Sequence, residues 1–278
     1  MKRRPGATAA MYGTLSLLLL LSFLPLVVML VMSLRDTVSI YTRFWAFPWP
    51  PKLANYARAL LDLWAPAVRT ILLAALSILG IQLFAATAAY GFARIRFPGK
   101  EMLFYLVIVL MMIPGVLVLT PNFILASRLG LRDSLGGLGL FYVSGGQVFA
   151  IFLLRAFFQE QPEELFESAR LDGAGELRCL RHIGLPLSIP VLITLGIMEF
   201  LSIYDDLLWP LLMISTKSKE TIVMALQHYN PIVDIVVSTP DIGAQTAGYV
   251  FASIPLLLVF VFGMKYYVQG ITSGALKA

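Results

Sequence analysis

The chain has 278 residues, of which 59% are hydrophobic and only 13% charged. A soluble domain carries roughly 25% charged residues, so the composition excludes an ordinary soluble protein and indicates a polytopic membrane protein. The net charge of +5 is then no nucleic-acid signal, because basic residues in membrane proteins chiefly set orientation. The single cysteine, Cys179, excludes an internal disulfide.

Met1-Lys2-Arg3-Arg4 precedes an apolar run that ends at Leu34. A secretory leader also starts on basic residues, but its apolar region is roughly 7–15 residues long and closes on a small-residue cleavage site. Neither holds here, and a retained first span over about 11–34 is expected. Five further apolar runs are bracketed by charges: Arg69 to Arg94, Glu101 to Arg128, Asp133 to Arg155, His182 to Asp205 and Asp241 to Lys265. They predict spans over about 70–93, 102–127, 134–154, 186–204 and 244–264. Each suffices for about 30 Å of hydrocarbon, which takes roughly 20 residues. Backbone groups in lipid must be satisfied within the segment, so the spans are read as helices. The alternation of a β-barrel is absent. The expected fold is all-α, with residues 1–278 forming a single transmembrane domain of six helices.

Lysine and arginine orient it. Segments 1–4, 94–101, 155–182 and 265–278 total 54 residues and hold 12 of them, against 9 in the 78 residues of segments 35–69, 128–133 and 205–241. The richer set belongs inside, which predicts both termini in the cytoplasm. Outside, residues 35–69 carry Trp45, Pro48, Trp49, Pro50 and Pro51, then an amphipathic stretch from Asn55 to Trp64. Tryptophan there reads as an interfacial belt. Residues 210–243 are mixed polar, with Pro231 and Pro240 as breakers. Small residues, Ala85, Ala86, Ala88 and Ala89 in the second span and Ala244, Gly248 and Ala252 in the sixth, indicate close helix packing.

The connection between spans four and five, residues 160–186, is the exception to an apolar chain. Between Arg155 and His182 it has four arginines and six carboxylates. Pro162 suits a helix start, and Glu163 and Glu164 fall in a first turn, where the helix dipole favours negative charge. Leu165, Phe166, Ala169 and the stem of Arg170 give one apolar flank. Asp172-Gly173 breaks the helix, residues 176–183 can form a second one, and Gly184 and Pro186 lead into the next span. An interfacial helix lying on lipid would instead be rich in lysine and arginine.

Glu167-Ser168-Ala169, Asp172-Gly173-Ala174, Ile183, Leu185-Pro186 and Pro190 resemble the EAA loop of permease subunits in binding-protein-dependent ABC importers. Ser168 stands where that family has alanine, and Leu180 where phenylalanine is common. The segment Tyr204-Asp205-Asp206-Leu207-Leu208-Trp209-Pro210, the Asn55-Tyr56 element and the tail from Lys265 to Ala278 resemble the maltose-type carbohydrate permeases, the tail being that of the shorter permease of the pair. Tyr204 and Asp205 replace a tryptophan and an asparagine of the family's pattern.

The resemblance implies a permease subunit of an ATP-driven importer, for a sugar or oligosaccharide, in a prokaryotic inner membrane, working by alternating access. Implied partners are a second permease, two ATPase subunits and an extracytoplasmic binding protein that faces residues 35–69. Membrane lipid is the surroundings, and nucleic acid is not expected. No cofactor is expected in this chain; ATP and Mg would be bound by the partner ATPase. Implied contacts of the loop with that ATPase involve Glu163, Leu165, Phe166, Glu167, Ala169, Asp172, Gly173, Ala174, Ile183, Leu185, Pro186 and Pro190. Two alternatives stay open: an importer of glycerol phosphate esters in the same family, and an ion-coupled secondary transporter.

The residues themselves fit a non-catalytic subunit. No G-x-x-x-x-G-K-[ST] is present, so no P-loop holds ATP here. No G-x-S-x-G occurs, and Cys179 with His182 is half a metal site without a second pair. Glu199 lies inside the fifth span, where an ionisable group defaults to a functional hypothesis; a glutamate hydrogen-bonded between helices is the plainer alternative. With Tyr204 and Asp205 it is a candidate for the translocation path.

Overall fold

The computed structural model describes residues 5–234 and 239–275. The basic cluster at residues 1–4 and the last three residues of the tail lie outside them. In chain order the helices are α1 Pro5–Ser33, α2 Thr37–Thr42, α3 Ala54–Arg94, α4 Lys100–Met111, α5 Gly115–Arg128, α6 Leu135–Glu160 and α7 Glu163–Leu171. Then come α8 Glu176–Cys179, a π turn at Leu180–Gly184, α9 Leu185–Leu187, α10 Ile189–Tyr204, α11 Leu208–Met213, α12 Ile222–His228 and α13 Ile242–Ala275. The fold of the described residues is all-α as expected, save for a short antiparallel pair, β1 Ile232–Asp234 and β2 Thr239–Pro240, before α13. It forms between Pro231 and Pro240, the two breakers of that outer segment.

Among the described residues four helices are long and apolar enough to cross a membrane, or up to six if each of two bent pairs counts as one span. The run 102–127 is not one straight helix. α4 and α5 meet at a break of 99°. Pro114 lacks the N–H that would continue the ladder and pushes Ile113 out of the helical region. The freed groups close locally, Met112 N–H on Val109 O at 3.0 Å and Ile113 N–H on Leu110 O at 3.3 Å. The run 186–204 likewise becomes α10 alone, bent by 76° from the helical segment Glu176–Leu187 before it. The hinge is Ser188, flanked by Pro186 and Pro190. α3 and α6 overrun the expected spans 70–93 and 134–154, because the amphipathic stretch from Asn55 and the loop's approach to Glu160 are helical too.

The chain divides into two compact units, Met1–Ala65 with Ala225–Ile254 and Pro66–Met224 with Pro255–Ala278. In the first, buried polar groups sit among apolar ones such as Ile40, Ala59, Leu63, Ala244 and Ala247. Buried Arg35 donates to the carbonyls of Phe44 (2.6 Å), Ser39 and Arg43 (2.5 Å each). Asn55 Nδ2 donates to Ser33 O and Arg35 O at 2.9 Å. Asp241 accepts from Thr37 Oγ1 at 3.2 Å and from the Ala244 N–H at 3.1 Å, capping α13. The side chains of α1 from Met11 to Val27 are exposed and almost wholly apolar, which suits lipid or another chain.

In the second unit, Ile81, Ala85, Ala86 and Ala89 of α3, Ala150, Leu154 and Phe158 of α6, and Val191 and Leu195 of α10 share one apolar core. Small residues bring the helices close: a β-carbon at Gly80 would lie 2.8 Å from Val143 Cγ2. Arg155 closes the α4 side, giving both carboxylate oxygens of Glu101 a hydrogen bond of 2.7 Å while its guanidinium covers the Phe104 ring at 3.7 Å.

Candidate functional site

α7 begins where α6 stops. Pro162, at the N-cap rather than inside the helix, has φ −57° and ψ 127° and turns the chain. Phe166 is the anchor. It is fully buried against Tyr90, Phe158 and Arg94, with the Arg94 guanidinium 4.3 Å from its ring centre. Burial of such a ring is worth roughly 2–3 kcal/mol, with a cation–π contribution on top. Arg94 also donates Nη1 to Glu163 and Nη2 to the Gln161 carbonyl at 2.5 Å.

Asp172-Gly173 ends α7. Gly173 has φ +84°, a conformation that a β-carbon disfavours by roughly 1 kcal/mol or more. Its N–H reaches Arg170 O at 3.0 Å and the Ala174 N–H reaches Ala169 O at 2.9 Å. Arg170 then spans the turn, with Nε to Glu176 at 2.9 Å and Nη1 to Glu163 at 3.1 Å. Tyr90 donates to the other Glu176 oxygen at 2.7 Å. These donors, the Arg170 hydrogen bond foremost, hold the Glu176 carboxyl below the usual carboxylate range. Gln161 Nε2 donates to Gly184 O at 3.2 Å and to Ser188 Oγ at 3.0 Å, so the exit of α6 is tied to the root of α10.

The candidate loop residues therefore divide. Phe166 and, partly buried against the same core, Ala169, Ala174, Ile183 and Leu185 form the seat. Glu163 is exposed but ion-paired to Arg94 and Arg170. Leu165, Glu167, Asp172, Gly173, Pro186 and Pro190 face outward. Beside them Leu171 is 90% and Leu177 75% exposed. Sequence reasoning took Arg94 as the end of a span and an inside charge, and did not single out Tyr90, Gln161 or Ser188. Their partners lie 69, 86, 23 and 27 residues away, beyond any local pattern.

The candidate path residues divide as well. Tyr204 is buried and stacked on Phe200 at 5.3 Å between ring centres. Asp205 is exposed at the end of α10. Asp206, which the sequence reading did not choose, accepts the Tyr142 hydroxyl at 2.7 Å and the Leu208 N–H at 3.0 Å. Glu199 is half-buried, its carboxylate against Gly146 of α6. Among the described residues no group of three or more His, Cys, Asp or Glu is placed to hold a metal.

A predominantly helical membrane domain whose most charged connection is a firmly seated helical loop fits one class, a transporter's membrane-spanning subunit. Residues 81–273 match the family described as binding-protein-dependent transport system inner membrane component, and the chain belongs to that family. It is 34% identical over 192 residues to the trehalose transport system permease protein SugB of Mycobacterium tuberculosis, covering 69% of each chain. It is 32% identical over 212 residues to the maltodextrin transport system permease protein MdxG of Bacillus subtilis, covering 74% of this chain and 73% of that one. In fold it is similar to a chain of the crystal structure of a bacterial ABC transporter involved in the import of the acidic polysaccharide alginate. There the TM-score is 0.83 and the identity 21%, over 96% of this chain and 99% of that chain. Membership makes the chain a multi-pass inner-membrane permease of the ABC importer type, a non-catalytic subunit whose ATPase is a separate partner. It also removes the ion-coupled secondary transporter from consideration.

Proposed function

We propose that the chain is one of two permease subunits forming the path of an importer for a sugar or oligosaccharide, and that the loop 160–186 couples it to the ATPase. The six-span arrangement, with both termini inside, takes each bent pair as one span. A binding protein delivers the saccharide from outside, two ATPase subunits bind ATP and Mg inside, and the spans alternate in access. The trehalose and maltodextrin permeases among its relatives support the saccharide over a glycerol phosphate ester.

The observation that carries the coupling role is the loop's two-sidedness. Its base is fixed by Phe166, Arg94, Tyr90 and Gln161, while Leu171 and Leu177 project with 90% and 75% exposure. Two bare leucines beside carboxylates suit a protein cleft better than water or lipid. A seated loop also passes force to the spans, where a slack one would absorb it.

The test is reconstitution of the permease pair with its ATPase and binding protein. Uptake of trehalose or maltotriose with substrate-stimulated ATP hydrolysis is expected. Leu171→Asp should abolish co-purification with the ATPase and leave the permease pair intact. Normal co-purification and stimulation in that variant would remove the coupling role.

A further inference from the structure

Glu199 has an unusual setting. Its Oε2 lies 3.0 Å from the point where a β-carbon on Gly146 would stand, and Ile81 Cδ1 lies 2.6 Å from the same point. Any side chain at position 146 would displace one or the other, so Gly146 makes the space that the carboxylate fills. Among the described residues Glu199 has no hydrogen-bond or ion-pair partner. A membrane-embedded carboxylate needs polar surroundings, and no hydrogen bond from the described side chains supplies them.

The neighbouring surface shows what does. Ser202, one turn outward on the same face of α10, is exposed. Asp206 follows one turn further on, holding Tyr142. On α6, Tyr142 stands one turn before Gly146 on the same face. Glu199 stands five residues before the end of α10 at Tyr204, about 7 Å inside it along the axis. A polar strip at that depth is unfit for hydrocarbon and suited to a water-filled path.

We propose that Glu199, seated on Gly146, is a charge-selecting element in the wall of the path. Its two carboxylate oxygens accept hydrogen bonds from paired hydroxyls of a neutral saccharide. They repel a uronate or a phosphate ester, which brings a second negative charge beside the first between membrane-embedded walls that screen it less than bulk water does. The inference rests on the saccharide-importer reading and narrows it: the cargo is neutral or cationic, unlike the acidic polysaccharide of the fold relative.

The test uses the assembled transporter with Cys179→Ser and Ser202→Cys, and two thiosulfonate reagents of equal size, one cationic and one anionic. With Glu199 present, the cationic reagent should modify the cysteine about fivefold faster or more. With Glu199→Gln the ratio should fall to near one. Maltotriose should slow modification when Glu199 is present, whereas trigalacturonate should slow it only in Glu199→Gln. Absence of modification by either reagent would mean that protein or lipid covers this face, and equal rates with Glu199 present would mean that it selects nothing; either result overturns the proposal. Charge preference without sugar-stimulated ATP hydrolysis would keep the wall and remove the saccharide reading, so the two failures are distinct.

Discussion

Tyr90 and Glu176 are 86 residues apart in sequence and 2.7 Å apart in space. The hydroxyl near the end of α3 donates to the first carboxylate of α8. The contact ties the second half of the loop directly to a spanning helix, while Arg170 of α7 holds the same carboxylate from the other side.

Tyr90→Phe removes that donor and keeps the ring, which packs edge-on against Phe158 at 5.8 Å. A hydrogen bond to a charged group contributes roughly 1.5–3 kcal/mol, and the remaining Arg170 contacts reduce the loss to about 1 kcal/mol. Amide exchange over 176–184 should quicken about fivefold, with residues 163–171 nearly unchanged. Phe166→Ala, by contrast, should cost about 3–5 kcal/mol and free both helices.

At Gly173 a β-carbon would meet nothing within 4 Å. The penalty of substitution is therefore the positive φ, roughly 1 kcal/mol, and not a clash. Gly173→Asn, whose side chain tolerates this region, should couple nearly normally, and Gly173→Ala somewhat less well. Gly173→Asp, with a second charge beside Asp172, should lose the ATPase. Substrate-stimulated ATP hydrolysis of the three variants reads the order, and a reversed order would place the effect outside the turn.

Asp133, itself at φ +52°, accepts from Thr216 Oγ1 at 2.7 Å, from Lys219 Nζ at 2.9 Å and from the N–H groups of Ser215 and Thr216 at 2.9 Å. The Thr216 hydroxyl first, then Lys219 and the two amides, hold its carboxyl well below the usual range. A carboxyl depressed by folding stabilises the fold fully above its unfolded value, about pH 4, and loses that contribution only as pH falls through the lower folded value. Protection factors over 213–219 should thus be equal at pH 7 and pH 5. Asp133→Asn should lower them at both. A fall between pH 7 and pH 5 in the unsubstituted protein would contradict the assignment.

Single cysteines at Lys52 and Lys219, whose side chains are 40% and 42% exposed, should react with a membrane-impermeant thiol reagent in intact cells carrying Cys179→Ser. A cysteine at Glu164, exposed and outside the Arg94–Glu163–Arg170 ion pairs, should react only after permeabilisation. Labelling of Glu164→Cys in intact cells would invert the topology.

Much of this was legible in the sequence because it is local. Proline at 162, two glutamates after it and Asp-Gly at 172–173 state a helix, its polarity and its end. Paired charges 20 or more residues apart state a membrane span. The same bracket rule passed over Ile113-Pro114-Gly115, where a local breaker inside an apolar run outweighed the run's length. Arg94, Tyr90 and Gln161 act on residues brought near only by packing, so neither periodicity nor spacing marks them. Glu199 was conspicuous for its charge, but Gly146, which makes its seat, looks in sequence like any other helix-packing glycine.

The tie from Gln161 to Ser188 has a mechanical meaning. It joins the foot of one long helix to the pivot of another, so that a push on α7 acts at the short end of a lever whose long end is α10. That arm has 16 residues, about 24 Å, and a tilt of 10° at its root would carry Tyr204 about 4 Å sideways. A displacement too small to disturb the packing around Phe166 is thereby magnified at the opposite face of the membrane to nearly the width of a sugar ring.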